Sequence, residues 1–397
     1  MRLFQLCYKP PYPPVDGGTL AMDSVTQGLL RAGVEVKVVS ISSDKHPVRW
    51  EQLPEAYRQQ THFEAHNVDL SIHPLGAAAA LLCGESYNVK RFYNRALEER
   101  LRQLLASEQF DIIQVESIFM APYLPVLRQC SHARIVLRAH NVEHHIWRGL
   151  ALSEPNPLRR WYLKKLALAL RAYELEQVNL FDGVVCITPD DAALMRQEGC
   201  RKPITDIPFG IDLPDEADTE GDALQLYHLG AMDWQPNAEG VRWLLDEVWP
   251  QLHAALPQLQ LHLAGRKMPD DLLTRQQEGV TVTGEVADAH AFMAGKGVNV
   301  VPLHVGSGLR VKIVEAMALG KAVVSTRVGA AGLACRDGEH LLLADTAAEM
   351  VRQVRRLAEE PGLRQRLGQN ARRLVAERYT TEACTQRFLD FYNKIGE

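Results

Sequence analysis

Short runs of β-branched and aliphatic residues alternate with stretches of helical periodicity along the whole 397-residue chain. That alternation restricts the fold to α/β, parallel sheets joined by crossover helices. In the first half the pattern predicts strands over Arg2–Cys7, Glu35–Ile41, Asp111–Glu116, Arg134–Arg138 and Gly183–Ile187. Helices are expected over Thr19–Arg31, Asn88–Ala106 and Leu158–Leu180, and Ser42–Glu85, which has no clean period, reads as irregular. After Cys200 the run RKPITDIPFGIDLPDEADTEGD is rich in proline, glycine and acids and has the composition of a connector. The alternation then restarts, with strands at Gln225–Leu229, Leu259–Ala264, Val280–Thr283, Val298–Pro302 and Ala322–Thr326 and helices at Asn237–Ala255, Asp288–Gly295 and Val311–Leu319. From Ala347 onward the pattern is almost wholly helical. The expected division is 1–205, 206–378 and a terminal helix over 379–397.

Two α/β units of similar size leave a cleft between them, and open sheets bind ligands at the carboxyl ends of their strands. Two half-sites facing each other suit a two-substrate reaction. Charge narrows the partners: 44 Lys plus Arg against 49 Asp plus Glu leaves a net charge of −5, which lacks the basic footprint of a nucleic-acid binder. The seven cysteines are scattered and never spaced Cys-x-x-Cys, which suits reduced thiols in the cytoplasm. The opening MRLFQLCYKPPYPP is too short for a signal-peptide core, and Leu75–Cys83 is far shorter than a bilayer span. The expected location is cytoplasmic.

The most informative segment is VPLHVGSGLRVKIVEAMALGKAVVST, residues 301–326. A strand ends at Pro302, the loop Gly306-Ser307-Gly308 follows, and a helix opens near Leu309. Glycines admit close backbone approach, and free N–H groups at a helix start form an anion site. Arg310 and Lys312 place two cations in a first turn that disfavours them, and a bound diphosphate would compensate both. Glu315 has the two acceptor oxygens a ribose diol needs. The segment is neither a P-loop nor a Gly-x-Gly-x-x-Gly fingerprint.

Glu315-Ala316-Met317-Ala318, then Gly320 and a Val-Val-Ser-Thr strand, resembles the donor-site signature of family 4 retaining glycosyltransferases. The likeness extends to the turn at Gly17 and Gly18, His140-Asn141, the linker Pro208-Phe209-Gly210-Ile211-Asp212, and Gly230. It implies the GT-B fold: two Rossmann-like domains, each with a parallel sheet, facing across a cleft, with a C-terminal helix crossing back to the first. It also implies an acceptor-binding first domain, a second domain that binds a nucleoside-diphosphate sugar, and transfer with retention that needs no metal or other cofactor. Two positions depart from the usual pattern. Ser307 stands where the family has a glutamate eight residues before the position of Glu315, and Met232-Asp233 stand where a basic pair often follows Gly230. The branch with Gly-Ser-Gly-x-Arg-x-Lys supplies its cations from Arg310 and Lys312.

On that resemblance Gly306, Ser307, Gly308, Leu309, Arg310, Lys312, Glu315 and Val286 bind the donor, and Gly17 and Gly18 form an acceptor or phosphate loop. Gly265-Arg266 and Gly284-Glu285-Val286 end strands and would flank the base, with Val286 over its face; ordinary strand-end loops are the other reading. His140, Arg310 and Lys312 are the expected catalytic residues. The histidine contacts the transferred sugar, while the cations stabilise charge on the departing β-phosphate. Front-face attack, with that phosphate taking the acceptor's proton, needs no separate base. The run His140-Asn-Val-Glu143-His144 also spells His-x-x-Glu-His, the inverted zinc-hydrolase motif, but that motif needs both histidines on one helical face, and His140 abuts a strand.

The expected activity is a glycosyltransferase of bacterial polysaccharide or glycolipid synthesis acting on a carbohydrate or lipid-linked acceptor; a sugar-nucleotide epimerase of the same fold is the alternative. Finally, PLRRWYLKKLALALRAYELEQ carries five cations beside Trp161, Tyr162 and several leucines. It fits either a helix in peripheral contact with the inner membrane face or a core helix with a solvated side.

Overall fold

The computed structural model describes residues 1–396 except 74–75, 77–79, 81–84, 215–216, 218–220 and 307. Cys83 and Ser307 therefore lie outside the described residues. The chain forms two compact units, Met1–Gly210 with Cys384–Glu397, and Ile211–Ala383.

Unit 1 contains β1 (Arg2–Cys7), β2 (Glu35–Ser42), β3 (Glu64–Asn67), β4 (Ile112–Glu116), β5 (Arg134–Ala139), β6 (Gly183–Cys186) and β7 (Ile204–Asp206). They form one sheet in the order β3-β2-β1-β4-β5-β6-β7, every pairing parallel. Crossover helices cover both faces, so the central strands are apolar nearly throughout rather than alternating. On one face Phe4, Leu6, Ile113, Val115, Ile135 and Leu137 are buried, and on the other Leu3, Val36, Ile112, Val136 and Val185. The second face is completed by Phe388, Phe391, Tyr392 and Ile395 of the terminal helix Thr381–Gly396.

Unit 2 contains β8 (Asp222–Leu229), β9 (Gln260–Ala264), β10 (Val280–Gly284), β11 (Lys296–Val301), β12 (Ala322–Ser325) and β13 (Leu342–Leu343). These too are all parallel, in the order β10-β9-β8-β11-β12-β13. In each sheet the winding reverses beside the first strand, between β1 and β4 and between β8 and β11. Open α/β sheets place their ligands at such points, outside the carboxyl ends of the strands.

Several elements differ from the sequence pattern for local reasons. The stretch over 88–106 is two helices, Tyr87–Lys90 and Arg95–Ser107, because Asn94 leaves helical geometry and caps the second through the N–H of Leu97. Ser42–Glu85 holds a helix, Glu55–Thr61, and the edge strand β3, whose polar sequence EAHN carries no strand signature. The connector after Cys200 contributes β7, a three-residue strand at the opposite edge. Thr19 is not the cap of its helix. Asp16 accepts the N–H of Thr19, and the Thr19 hydroxyl accepts the N–H of Asp16 in return, closing a capping box on the helix Gly17–Arg31.

Candidate active site

At the reversal point of unit 1, a carboxylate is buried at the end of a strand. Glu116 terminates β4 with no exposed surface, and its Oε1 accepts Nε2–H bonds from Gln5 (2.7 Å) and Gln114 (2.6 Å). Its Oε2 lies 2.7 Å from Nε2 of His140 and 3.9 Å from Nε of Arg138. Burial pushes the Glu116 carboxyl up, but the histidine, the guanidinium and Gln5 outweigh it and hold the pKa below the ordinary value. An ionised Glu116 accepts only, so Nε2 of His140 carries the hydrogen and, in the neutral ring, Nδ1 is left as an acceptor. The supporting amides are fixed in turn: Gln5 accepts from the Thr26 hydroxyl at 2.6 Å, and Gln114 accepts from the Tyr392 hydroxyl. The fully buried Arg138 stacks its guanidinium 4.7 Å from the Phe388 ring centroid and donates to the Pro208 carbonyl. His140 is thus held by a network drawn from β1, β4, β5 and the terminal helix, with Tyr8 edge-on to its ring at 5.5 Å.

Gly17 and Gly18 are not a free turn but the first residues of the helix Gly17–Arg31, which follows the carboxyl end of β1. Lys9, almost wholly buried, donates to both oxygens of Asp16 at 2.7 Å. A side chain at Gly18 would stand 2.6 Å from the Tyr8 hydroxyl, whereas a Cβ at Gly17 has nothing within 4 Å among the described residues. Gly18 is required by the protein's own packing, and Gly17 is the open position.

At the reversal point of unit 2, the loop after β11 carries Gly306, Gly308, Leu309 and Arg310 into the helix Val311–Ala318. Arg310 occupies the N-cap position, and its guanidinium carbon lies 4.8 Å from the centroid of the Trp234 ring, which follows β8. Burial pushes this guanidinium down to about 10. Gly306, at φ +137°, sits where a Cβ would be 2.6 Å from the Trp234 ring and 2.5 Å from the guanidinium, so only glycine fits. Lys312 does not stand alone as a cation: it donates to Glu315 Oε2 at 2.7 Å, one turn further on. Of the groups expected to meet phosphate and ribose, these two are already paired with each other. Val286 is partly buried against the apolar cluster around Ile313 and Met317. Across the strand ends, Asp233 faces Lys267 at 3.3 Å and Arg266 at 3.7 Å, which puts two cations beside the position where the basic pair was missed.

The His-x-x-Glu-His reading fails on geometry. Nε2 of His140 faces Glu116 on the strand side, whereas His144 bonds Glu174 through Nδ1 at 2.6 Å. Two site residues escaped the sequence reading. Glu116 closes the apolar run DIIQVE, a charge at a strand end that serves as its signal; Trp234 carried none, because its partner Arg310 is 76 positions away.

Two parallel, reversing sheets with these strand-end loops define a glycosyltransferase of the GT-B fold. Residues 15–214 match the model described as Glycosyltransferase Family 4, and residues 223–360 match that described as Glycosyl transferases group 1. The chain belongs to glycosyltransferase family 4. A curated relative, an uncharacterized 44.6 kDa protein in the cps region of Klebsiella pneumoniae, is 20% identical over 297 residues, covering 71% of this chain and 74% of that one. Among solved structures, sucrose-phosphate synthase from Thermosynechococcus elongatus superposes with a TM-score of 0.66 at 17% identity, covering 100% of this chain and 99% of its own. Anabaena HepE in complex with UDP gives 0.65 at 15%, covering 99% and 100%. A point mutant of S. aureus TarM in complex with Fondaparinux, alpha-GlcNAc-glycerol and UDP gives 0.62 at 12%, covering 99% of each chain. Among the described residues no helix is long and apolar enough to cross a membrane.

Proposed function

We propose that this glycosyltransferase moves a sugar, with retention and without a metal at the reacting centre, from a uridine diphosphate sugar to an acceptor hydroxyl in bacterial polysaccharide or glycolipid synthesis. The observation that carries the reading is the reversal point of unit 2, where a glycine loop, a half-buried Arg310 held on Trp234 and a helix N-terminus meet. The departing nucleoside diphosphate develops charge on its β-phosphate, and a desolvated, pre-positioned guanidinium beside free helix N–H groups stabilises it. Uridine is the chosen base because Anabaena HepE and S. aureus TarM are solved with UDP. Lys312 reaches the diphosphate by exchanging Glu315 for it, which frees both Glu315 oxygens for the ribose. Val286 covers the base, and Gly306, Gly308 and Leu309 present backbone to the phosphates. His140 is assigned to the transferred sugar, accepting a hydroxyl through Nδ1 while Glu116 fixes the ring. Gly17, which has room around it among the described residues, receives acceptor or phosphate; Gly18 serves the packing of the helix start on Tyr8.

Thermal stabilisation by UDP, GDP, ADP and dTDP, with EDTA present, tests the donor site. UDP is expected to stabilise the wild type and to lose its effect in an Arg310→Ala/Lys312→Ala double variant; equal stabilisation of both proteins, or of neither, refutes the assignment.

The helix Pro157–Val178 supports a peripheral membrane contact as part of the same reading. It buries Leu166, Ala167 and Leu170 but leaves Leu158, Trp161 and Leu168 more than half exposed beside Arg159, Lys164 and Lys165. Basic residues among exposed apolar ones fit an anionic bilayer surface. Co-sedimentation with phosphatidylglycerol vesicles but not with phosphatidylcholine vesicles is the expected result, lost when Leu158 and Trp161 become serine.

A further inference from the structure

Away from both strand-end sites, two imidazoles and a carboxylate converge at one end of the helix Glu143–Ser153. His144 Nε2 lies 3.8 Å from Glu198 Oε2, His145 Nε2 lies 3.6 Å from Glu198 Oε1, and the three ligand-bearing atoms all fall within 4.8 Å of one another. Among the described residues neither buried Nε2 atom has a hydrogen-bond partner, an arrangement that is costly unless something occupies the space. The protonation of His144 is set from behind. Glu174, itself buried, accepts the backbone N–H groups of Glu143 and His144 at 3.1 Å each and the ring Nδ1–H of His144 at 2.6 Å. In the neutral ring the hydrogen therefore sits on Nδ1 and the Nε2 lone pair points at Glu198. A carboxylate behind the far nitrogen of a ligating histidine is the usual outer support of a metal site. Glu198 is braced as well, since Arg171 Nε donates to its Oε2 at 2.7 Å, the oxygen that lies 3.8 Å from His144 Nε2, and Oε1 is left toward His145.

From this geometry we propose that His144, His145 and Glu198 form a structural site for one divalent zinc-class cation. Two imidazoles and one carboxylate suit zinc, whose bonds of about 2.0–2.1 Å ask the three ligand atoms to draw in by roughly 1 Å or less. A cavity of about 400 Å³ that these residues line together with Ala151, Ala167 and Leu168 has room for a water as fourth ligand; Arg148, Lys164 and Arg171 also line it, so Glu198 must offset cationic neighbours as well as ligate. The ion would tie the helix Glu143–Ser153 to Glu198, the last residue of the helix Pro189–Glu198, and through Arg171 to the helix Pro157–Val178. It takes no part in sugar transfer, so the donor-site reading stands or falls separately.

The test uses the full chain without a histidine tag, stripped with EDTA, incubated with zinc sulfate and passed through a desalting column. Atomic emission is expected to find about one zinc per chain, with Tm raised by about 5 °C or more over the stripped protein. His145→Ala, a partly exposed position that keeps the fold by circular dichroism, is expected to retain none, and Glu198→Gln to retain less than half. Absence of zinc from the wild type, or one equivalent retained by the His145 variant, overturns the proposal.

Discussion

The Arg310 guanidinium lies over Trp234 with its carbon 4.8 Å from the ring centroid, joining the loop after β11 to the loop after β8. The cation is thereby held in place before any ligand arrives, so little is spent on ordering it. Arg310→Ala is expected to lower kcat by about 10²–10³, the usual cost of one charge-stabilising donor. Trp234→Ala keeps the charge but releases it, and should weaken donor binding by about tenfold or less, the scale of a partly buried cation–π contact. Steady-state kinetics with varied UDP-sugar separates the two, since the first lowers kcat as well as donor affinity while the second raises KM with kcat little changed.

His140 and Glu116 are expected to fail differently. His140→Ala leaves UDP stabilisation intact and lowers kcat by two orders of magnitude or more. Glu116→Gln removes the only counter-charge within 4 Å of the buried Arg138 among the described residues, and should cost about 3–5 kcal/mol of folding stability. Urea unfolding of both variants beside the wild type checks the contrast.

Gly265 allows the ends of β8 and β9 to touch. A Cβ there would lie 1.7 Å from the carbonyl oxygen of Gly230, and the Gly265 N–H already bonds the Gly284 carbonyl at 2.8 Å. Gly265→Ala is expected to displace all three strand-end loops, lowering stability by about 2 kcal/mol or more and abolishing nucleotide-dependent stabilisation. Thermal melts with and without UDP read both effects.

Asp23, on the helix Gly17–Arg31, carries a stability penalty that depends on pH. Burial pushes its carboxyl up to about 6, against the opposing pull of Gln27 and Arg31. Between the unfolded value of about 4 and that folded value, the native state holds the extra proton, so stability falls as pH rises through the window. Asp23→Asn is therefore expected to gain on the order of 1–2 kcal/mol at pH 7.5 and almost nothing at pH 4. A Tm series across that range, wild type against variant, gives the difference directly.

The apolar strands were legible because β1, β4, β5, β11 and β12 are buried on both faces and are mostly aliphatic, while β9, QLHLA, shows the alternation of a half-buried strand. The edge strands β3, β7 and β13 were not, being two to four residues long, with β3 and β7 partly polar. The same distinction runs through the site. Gly306, Arg310 and the helix after them are contiguous, so spacing alone drew attention to them. The pairing of Lys312 with Glu315 is a three-residue helical spacing visible in the sequence, where the same two residues also fit phosphate and ribose separately. Arg310 with Trp234, and His140 with Glu116, Gln5 and Tyr392, are brought together only by the order of strands in a sheet, which no local pattern states.

Unit 2 enters after Gly210 and leaves after Ala383, and at its border Ile211 pairs with Thr380: the N–H of Ile211 bonds the Tyr379 carbonyl at 2.8 Å and that of Thr381 bonds the Ile211 carbonyl at 3.1 Å. The unit is therefore an insertion whose two ends are neighbours. In genetic terms residues 211–383 are a single cassette, one that recombination can replace at one locus without cutting the seven-stranded sheet or the terminal segment that seals Arg138 and Gln114. On the proposed assignment, a lineage can change the sugar it transfers by exchanging that cassette while keeping the acceptor it recognises.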